Sequence, residues 1–315
     1  MPTQIYRTLE AVACHAQSIN TVGTFDGLHC GHQTILQEVR KEATERGALA
    51  TVVTFSPHPQ LVLKNPNRPP VRILTSDDEK LALLEAAQID RLVIIPFTLE
   101  FSSTSSEVFV RDVLFHRIGM SGVVLGHDHG FGKNREGDFA LMARIGAELQ
   151  FTVRELPPFE MNGSVISSTR VRELLIQGEV AKATRFLGRP YQLAATVVRG
   201  DGRGRSLGFP TANLEPENPD KLIPAHGVYA VRVHHGTQML EGMMNIGVRP
   251  TFAKSTETIE AHLFDFDEEL YGKKLPIEFI ERLRAERSFA SAAELVEQLK
   301  VDRASAKRVF HTGSK

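Results

Sequence analysis

Residues 18–32 read SINTVGTFDGLHCGH, and this stretch decides the fold of the first half of the chain. Ile19 and Val22 mark an apolar strand, Gly23 ends it, and Phe25-Asp26-Gly27 makes a tight turn. His29 and His32 then stand at the mouth of a helix that continues through Ile35, Leu36 and Val39. Two histidines three apart, with Gly31 between them, share one face of a first helical turn, where unpaired backbone N–H groups attract anions. The stretch is therefore a phosphate site containing two imidazoles. Such a site suits nucleotidyl transfer, in which an attacking phosphate displaces pyrophosphate from a nucleoside triphosphate. The protein supplies no nucleophile there; it holds the phosphates in line and stabilises the spreading charge.

Working outward, residues 48–55 (ALATVVTF) form a β-branched run that fits a buried strand and is too short for a helix. The two prolines in Ser56-Pro57-His58-Pro59 exclude regular structure there. Ser76, with Glu79 three residues on, caps an amphipathic helix through Leu81, Leu83 and Leu84. A third strand is expected at 91–96, a helix at 105–118 whose charges from Arg111 to Arg117 form a solvated face, and a fourth strand at 122–126. Alternating strands and helices predict a Rossmann-like parallel sheet covered on both faces. Its ligands would lie beyond the carboxyl ends of the strands, where Gly23, Pro57 and Gly126 fall.

The 315 residues suit two domains, and the charges nearly cancel: 37 Lys and Arg against 38 Asp and Glu. Neither half carries the basic excess of a nucleic-acid binder, so the expected partners are small molecules, with homo-oligomerisation left open. Cys14 and Cys30 make neither a metal spacing nor a disulfide framework, which fits a reducing compartment. The first residues lack the apolar core of a signal peptide and no later stretch approaches a membrane span, so a cytoplasmic location is expected.

Two further segments belong to the first site. Gly126-His127-Asp128-His129-Gly130-Phe131-Gly132-Lys133 reads as a floor for a planar ligand, with Asp128 accepting hydrogen bonds and Lys133 facing phosphate. Residues 165–172 (VISSTRVR) enter a helix so that the hydroxyls of Ser168 and Thr169 and the guanidinium of Arg172 converge on its first turn, where they can grip a triphosphate. The decapeptide GTFDGLHCGH resembles the HxGH signature of the nucleotidyltransferase superfamily in its bacterial FAD synthetase form, and ISSTRVR resembles that superfamily's ISSTxxR motif. The resemblance implies that His29, His32 and Arg172 are catalytic and that Gly23, Phe25, Asp26, Gly31, Ser168 and Thr169 bind ATP. It also implies flavin contacts from Asp128 and Phe131. The sequence departs from the family's G-x-[DN]-F-x-F-G loop at His129, where the family has Phe.

Residues 177–189 suggest a short helix ending at Gly188, and the boundary between domains is expected here, giving 1–187 and 188–315. Beyond it the pattern changes to short β-rich runs at 191–198, 227–233, 239–246, 258–264 and 276–283, with one late helix at 290–307. This predicts a small antiparallel barrel with a C-terminal helix. Residues 200–213 (GDGRGRSLGFPTAN) are glycine-rich without the G-K-[ST] ending of a Walker loop. Glycine admits phosphate close to the backbone, and a Thr hydroxyl beside an Asn amide offers neutral oxygen ligands to Mg²⁺.

GFPTAN resembles the G-x-P-T-A-N motif of riboflavin kinases. Residues 245–252 (NIGVRPTF), 259–266 (IEAHLFDF) and 270–272 (LYG) resemble that family's further stretches, in order. The resemblance implies that Glu260 is the general base for the ribityl 5′-hydroxyl. It also places Gly204, Gly208, Pro210, Thr211 and Asn213 at Mg·ATP, with Thr211 and Asn213 as the metal ligands. Taken together, the chain is similar to the bacterial bifunctional enzymes that phosphorylate riboflavin to FMN and adenylylate FMN to FAD. Two alternatives stand beside this reading: a kinase with a degenerate adenylyltransferase domain, and a flavin-binding regulator without turnover.

Overall fold

The first unit is built on a parallel sheet, because five of its strands are each followed by a return over one face. In chain order its elements are β1 (Gln4–Tyr6), β2 (Ser18–Val22), α1 (Cys30–Arg46), β3 (Leu49–Ser56), the single turn α2 (Pro59–Val62), α3 (Asp77–Ala86) and β4 (Arg91–Pro96). Next come α4 (Ser106–Val108) running into a π-helical stretch Phe109–Arg117, β5 (Met120–Gly126), α5 (Phe139–Leu149), β6 (Thr152–Leu156) and a hairpin of β7 (Glu160–Met161) and β8 (Ser164–Val165). The computed structural model describes residues 2–13, 17–64, 69–127, 130–200, 203–250 and 255–312. It divides into two compact units, Met1–Ser168 and Thr169–Lys315.

The strand order is β1-β4-β3-β2-β5-β6, all parallel. β2 therefore sits at the point where the chain switches from building the sheet in one direction to building it in the other, which is where open α/β sheets leave a ligand crevice. Every residue of β2 is buried. Alternation along β3 sends Val52 to the face covered by α1 and α3, with Leu36 and Leu84, and Val53 to the face covered by Phe109, Leu114 and Ile145. α3 has the expected capping box between Ser76 and Glu79.

Three expectations for this unit need correction. Pro59 does not exclude structure but begins α2, since proline fits the first helical position, where no N–H is needed. The helix expected at 105–118 is α-helical only to Val108. Its arginines are not merely solvated: Arg111 pairs with Glu107 (3.0 Å) and with Glu148 of α5, and Arg117 donates to the Leu9 carbonyl (2.7 Å).

The second unit contains the rest of α6 (Ser168–Ile176), then α7 (Val180–Leu187), β9 (Tyr191–Val198), the single turn α8 (Arg203–Ser206), β10 (Ala212–Pro216), β11 (Gly227–His235), β12 (Gln238–Pro250), β13 (Ser255–Leu263), β14 (Lys274–Arg284) and α9 (Ala292–Thr312). Gly188 caps α7 in the left-handed region. The strands close into an antiparallel barrel in the order β10-β13-β12-β11-β14-β9. Val228 and Ala230 of β11 pack with Phe310 and Ala306 of α9, while the alternate residues Tyr229 and Val231 are fully buried. Tyr229 meets Phe279 edge to face at 5.3 Å, and burial pushes its phenol up to about 12. Asp302 on α9 takes a fork of hydrogen bonds from Arg284 on β14 (2.9–3.0 Å), fixing helix to barrel. α9 runs five residues past its expected end, so His311 and Thr312 are helical.

Candidate active sites

The first site begins where β2 ends. The Gly23 N–H donates to the Val53 carbonyl (3.0 Å), extending the sheet by one bond. Phe25 then turns back with φ +49°, its ring buried over Gly23 and edge-on to His32 at 5.2 Å. His29 is the N-cap of α1: its Nδ1 accepts from the His32 N–H (3.3 Å). A ring that accepts at Nδ1 carries its proton, when neutral, at Nε2, which is thereby left as a donor. The His29 and His32 rings stack at 3.7 Å and 17°, and Gly31 is tight beneath them, since a Cβ there would lie 3.3 Å from the His29 ring. Two imidazoles thus crown a helix N-terminus at the crevice of the sheet.

Asp26, expected to bind ATP, is 2% exposed and holds the turn. Its carboxylate accepts from the backbone of Leu74 (2.9 Å) and Thr75 (3.0 Å) and from the Thr75 hydroxyl (3.2 Å). Thr75 Oγ1 in turn accepts from the Gly27 N–H (3.1 Å), and Ser168 Oγ donates to the Asp26 carbonyl (2.8 Å). Thr75 escaped the sequence reading because nothing local signals a partner 49 residues away; its only cue is a hydroxyl directly before the Ser76 cap. Thr75→Val keeps the shape but leaves the Gly27 N–H and one Asp26 oxygen short of a bond. The expected cost is about 1–3 kcal/mol in the first unit, as denaturant unfolding would report.

Thr169 and Arg172 lie on α6 in the second unit, the first exposed and the second half-buried. Asp128, like His129, lies outside the described residues. Phe131, expected to contact flavin, is 6% exposed and packs at 6.3 Å on Phe109, inside an aromatic cluster with Phe101 and Phe55. Its carbonyl accepts from Ser106 Oγ (3.1 Å), which ties it to the start of α4.

In the second unit, β10 and β13 bring together residues that the GFPTAN and IEAHLFDF stretches predicted for one site. Asn213 pairs with Glu260 across one side of β13, and Asn245 pairs with Glu260 across the other. Thr211 Oγ1 donates to Glu260 Oε2 at 3.2 Å. Three glycines make this approach feasible. A Cβ at Gly200 would overlap the Asn213 amide; one at Gly204 would collide with the Phe209 carbonyl and come within 3.0 Å of Thr211 Oγ1; and Gly208 has φ +80°. Gly200 carries no motif signal of its own, yet it makes the space for Asn213. Pro210 is exposed, and its carbonyl faces His262 Nδ1 at 2.8 Å. Burial holds His262 below the usual histidine range. Thr251 and Phe252 lie outside the described residues. A carboxylate, a hydroxyl and an amide so placed can accept a proton from an alcohol and present oxygen ligands to a hard cation.

Among the described residues no group of three His, Cys, Asp or Glu side chains could hold a metal, and no helix is long and apolar enough to cross a membrane. Comparison with known proteins matches residues 11–170 to the FAD synthetase family and residues 187–310 to the riboflavin kinase family. The bifunctional riboflavin kinase/FMN adenylyltransferase of Escherichia coli strain K12 is 36% identical over 92% of this chain and 92% of its own length. The Haemophilus influenzae protein of the same name is 33% identical over 93% and 94%. A solved structure described as a macrolide-efflux protein from Streptococcus pneumoniae has a TM-score of 0.87 at 28% identity, covering 98% of this chain and 99% of that one. With both family matches, relatives of this similarity, and a parallel-sheet unit followed by a closed barrel, the chain belongs to the bifunctional riboflavin kinase/FMN adenylyltransferase family, the enzymes that make FMN from riboflavin and FAD from FMN.

Proposed function

We propose that each activity runs on its own constellation of residues, divided near 187/188. In the kinase, Glu260 takes the proton of the ribityl 5′-hydroxyl as that oxygen attacks the γ-phosphorus of ATP, and ADP leaves. The observation that carries this reading is the 3.2 Å contact between Thr211 and Glu260, with Asn213 opposite the same glutamate. In the adenylyltransferase, a phosphate oxygen of FMN attacks the α-phosphorus of ATP and pyrophosphate leaves. His29, donating from Nε2, and His32 stabilise that charge, while Ser168, Thr169 and Arg172 keep the triphosphate role of their motif. Asp26 acts through the turn it holds. Asp128 remains the flavin contact, and Phe131 supports its loop.

Mg²⁺ fits the kinase residues. The Thr211 hydroxyl and Asn213 amide are neutral oxygen donors beside a carboxylate, and a hard cation arriving with ATP fills its remaining positions with phosphate oxygens and water. The ion would shield phosphate charge from the attacking oxygen. Small-molecule substrates, a reducing cytoplasmic setting and no nucleic-acid partner complete the reading. The test is the Mg²⁺ dependence of riboflavin phosphorylation: Thr211→Val should raise the concentration for half-maximal rate by about tenfold, in line with loss of one ligand or its support. An unchanged Mg²⁺ requirement would remove Thr211 from the metal.

A further inference from the structure

His262 belongs to the stretch that carries Glu260, yet neither proton transfer nor metal binding uses it. It is 7% exposed and stands two residues from Glu260 on β13, so both side chains leave the same face of the strand. Its ring meets Phe209 edge to face at 5.3 Å and Phe264 at 5.7 Å. Nδ1 lies 2.8 Å from the Pro210 carbonyl oxygen, and Nε2 is buried without a hydrogen-bond partner among the described residues. A carbonyl can only accept, so Nδ1 carries the proton; a second proton on Nε2 would be buried and unpaired. The ring is therefore neutral, with its one N–H aimed at Pro210.

Pro210 immediately precedes Thr211. Two consecutive residues of the GFPTAN segment are thus tied to two same-face residues of one strand: the Pro210 carbonyl to His262 and the Thr211 hydroxyl to Glu260. Proline donates no backbone hydrogen bond of its own, and Pro210 is exposed, so its carbonyl is the handle by which the barrel can hold this turn. We propose that His262 is a positioning residue of the kinase, whose Nδ1–H fixes the Pro210 carbonyl and thereby sets Thr211 and Asn213 against Glu260.

This rests on Thr211 and Glu260 being the kinase's working pair, so Glu260→Gln is measured alongside. Asparagine places its amide N–H close to where Nδ1 stands, whereas glutamine carries its amide one bond farther out, near Nε2. In the full-length protein, His262→Gln is expected to lower kcat for riboflavin phosphorylation by about 10–100-fold with the KM for riboflavin shifted less than about threefold, a misplacement effect. His262→Asn should recover at least a third of the wild-type kcat. FMN adenylylation and the thermal midpoint, read on the same preparations, report folding. Equal kcat losses in both variants, or kcat near wild type in both, would overturn the proposal; so would a loss in the glutamine variant matched by a fall in its thermal midpoint. An active Glu260→Gln enzyme would instead overturn the reading on which it rests.

Discussion

Glu260→Gln is expected to lower riboflavin phosphorylation about 10²- to 10⁴-fold, the range for removing a general base, while FMN adenylylation proceeds at the wild-type rate. Glutamine keeps the size of the side chain and can still accept the Thr211 hydroxyl, so the strand pairings of Glu260 with Asn213 and Asn245 survive. What disappears is the basic oxygen. A primary alcohol is a poor nucleophile until its proton has somewhere to go, and the two neighbours on the adjacent strands are amides that cannot take one. Rates from ADP release with riboflavin, and from pyrophosphate release with FMN, separate the two activities. Phosphorylation within tenfold of wild type would remove Glu260 as the general base.

The second large effect is expected at His29. Its ring does two things at once: Nδ1 caps α1 through the His32 N–H, and in the neutral ring the opposite nitrogen is therefore a donor. His29→Asn separates them. Asparagine is among the best N-caps, so the helix keeps its start, but the amide is too short to reach where Nε2 stood, and the stack on His32 is lost. FMN adenylylation should fall by about 10²- to 10³-fold, as for loss of one donor at developing charge, and riboflavin supplied with ATP should accumulate as FMN. His29→Ala adds the loss of the cap, about 1 kcal/mol, to the same kinetic defect. An asparagine variant as active as wild type would reduce His29 to a cap.

Much of this was legible in the sequence because the decisive signals are local. A strand, a glycine, a turn and two histidines at helical spacing lie within fifteen residues, and GFPTAN spells its turn in glycine and proline. What escaped falls into two kinds. Short or interrupted strands carry too little pattern: β1 has three residues, β6 (TVREL) buries chiefly its last, and β10 is the tail of the GFPTAN segment and so reads as loop. The other kind is long-range. Asp26 was expected at ATP only through the family resemblance, and nothing in the sequence signals that its carboxylate accepts from the backbone of Leu74 and Thr75. Phe131 looked like a stacking platform because it is an aromatic among glycines, yet it is packed on Phe109. His262 stood in a recognised stretch and gained its role only once Pro210 was seen beside it.

The central claim is that one chain carries two separate phosphate-transfer sites, each complete without the other's reacting groups. Mixing the two variants in one tube tests it most directly: Glu260→Gln and His29→Asn, with riboflavin, ATP and Mg²⁺, the flavins separated by chromatography. Over the time in which the wild-type enzyme converts its riboflavin to FAD, the first variant alone should leave nearly all of it as riboflavin, the second should stop nearly all of it at FMN, and the mixture should form FAD, because FMN made on one molecule is adenylylated on the other. Failure of the mixture to form FAD in that time would contradict the separation of the two sites, as would FAD formed by either variant alone as fast as by the mixture.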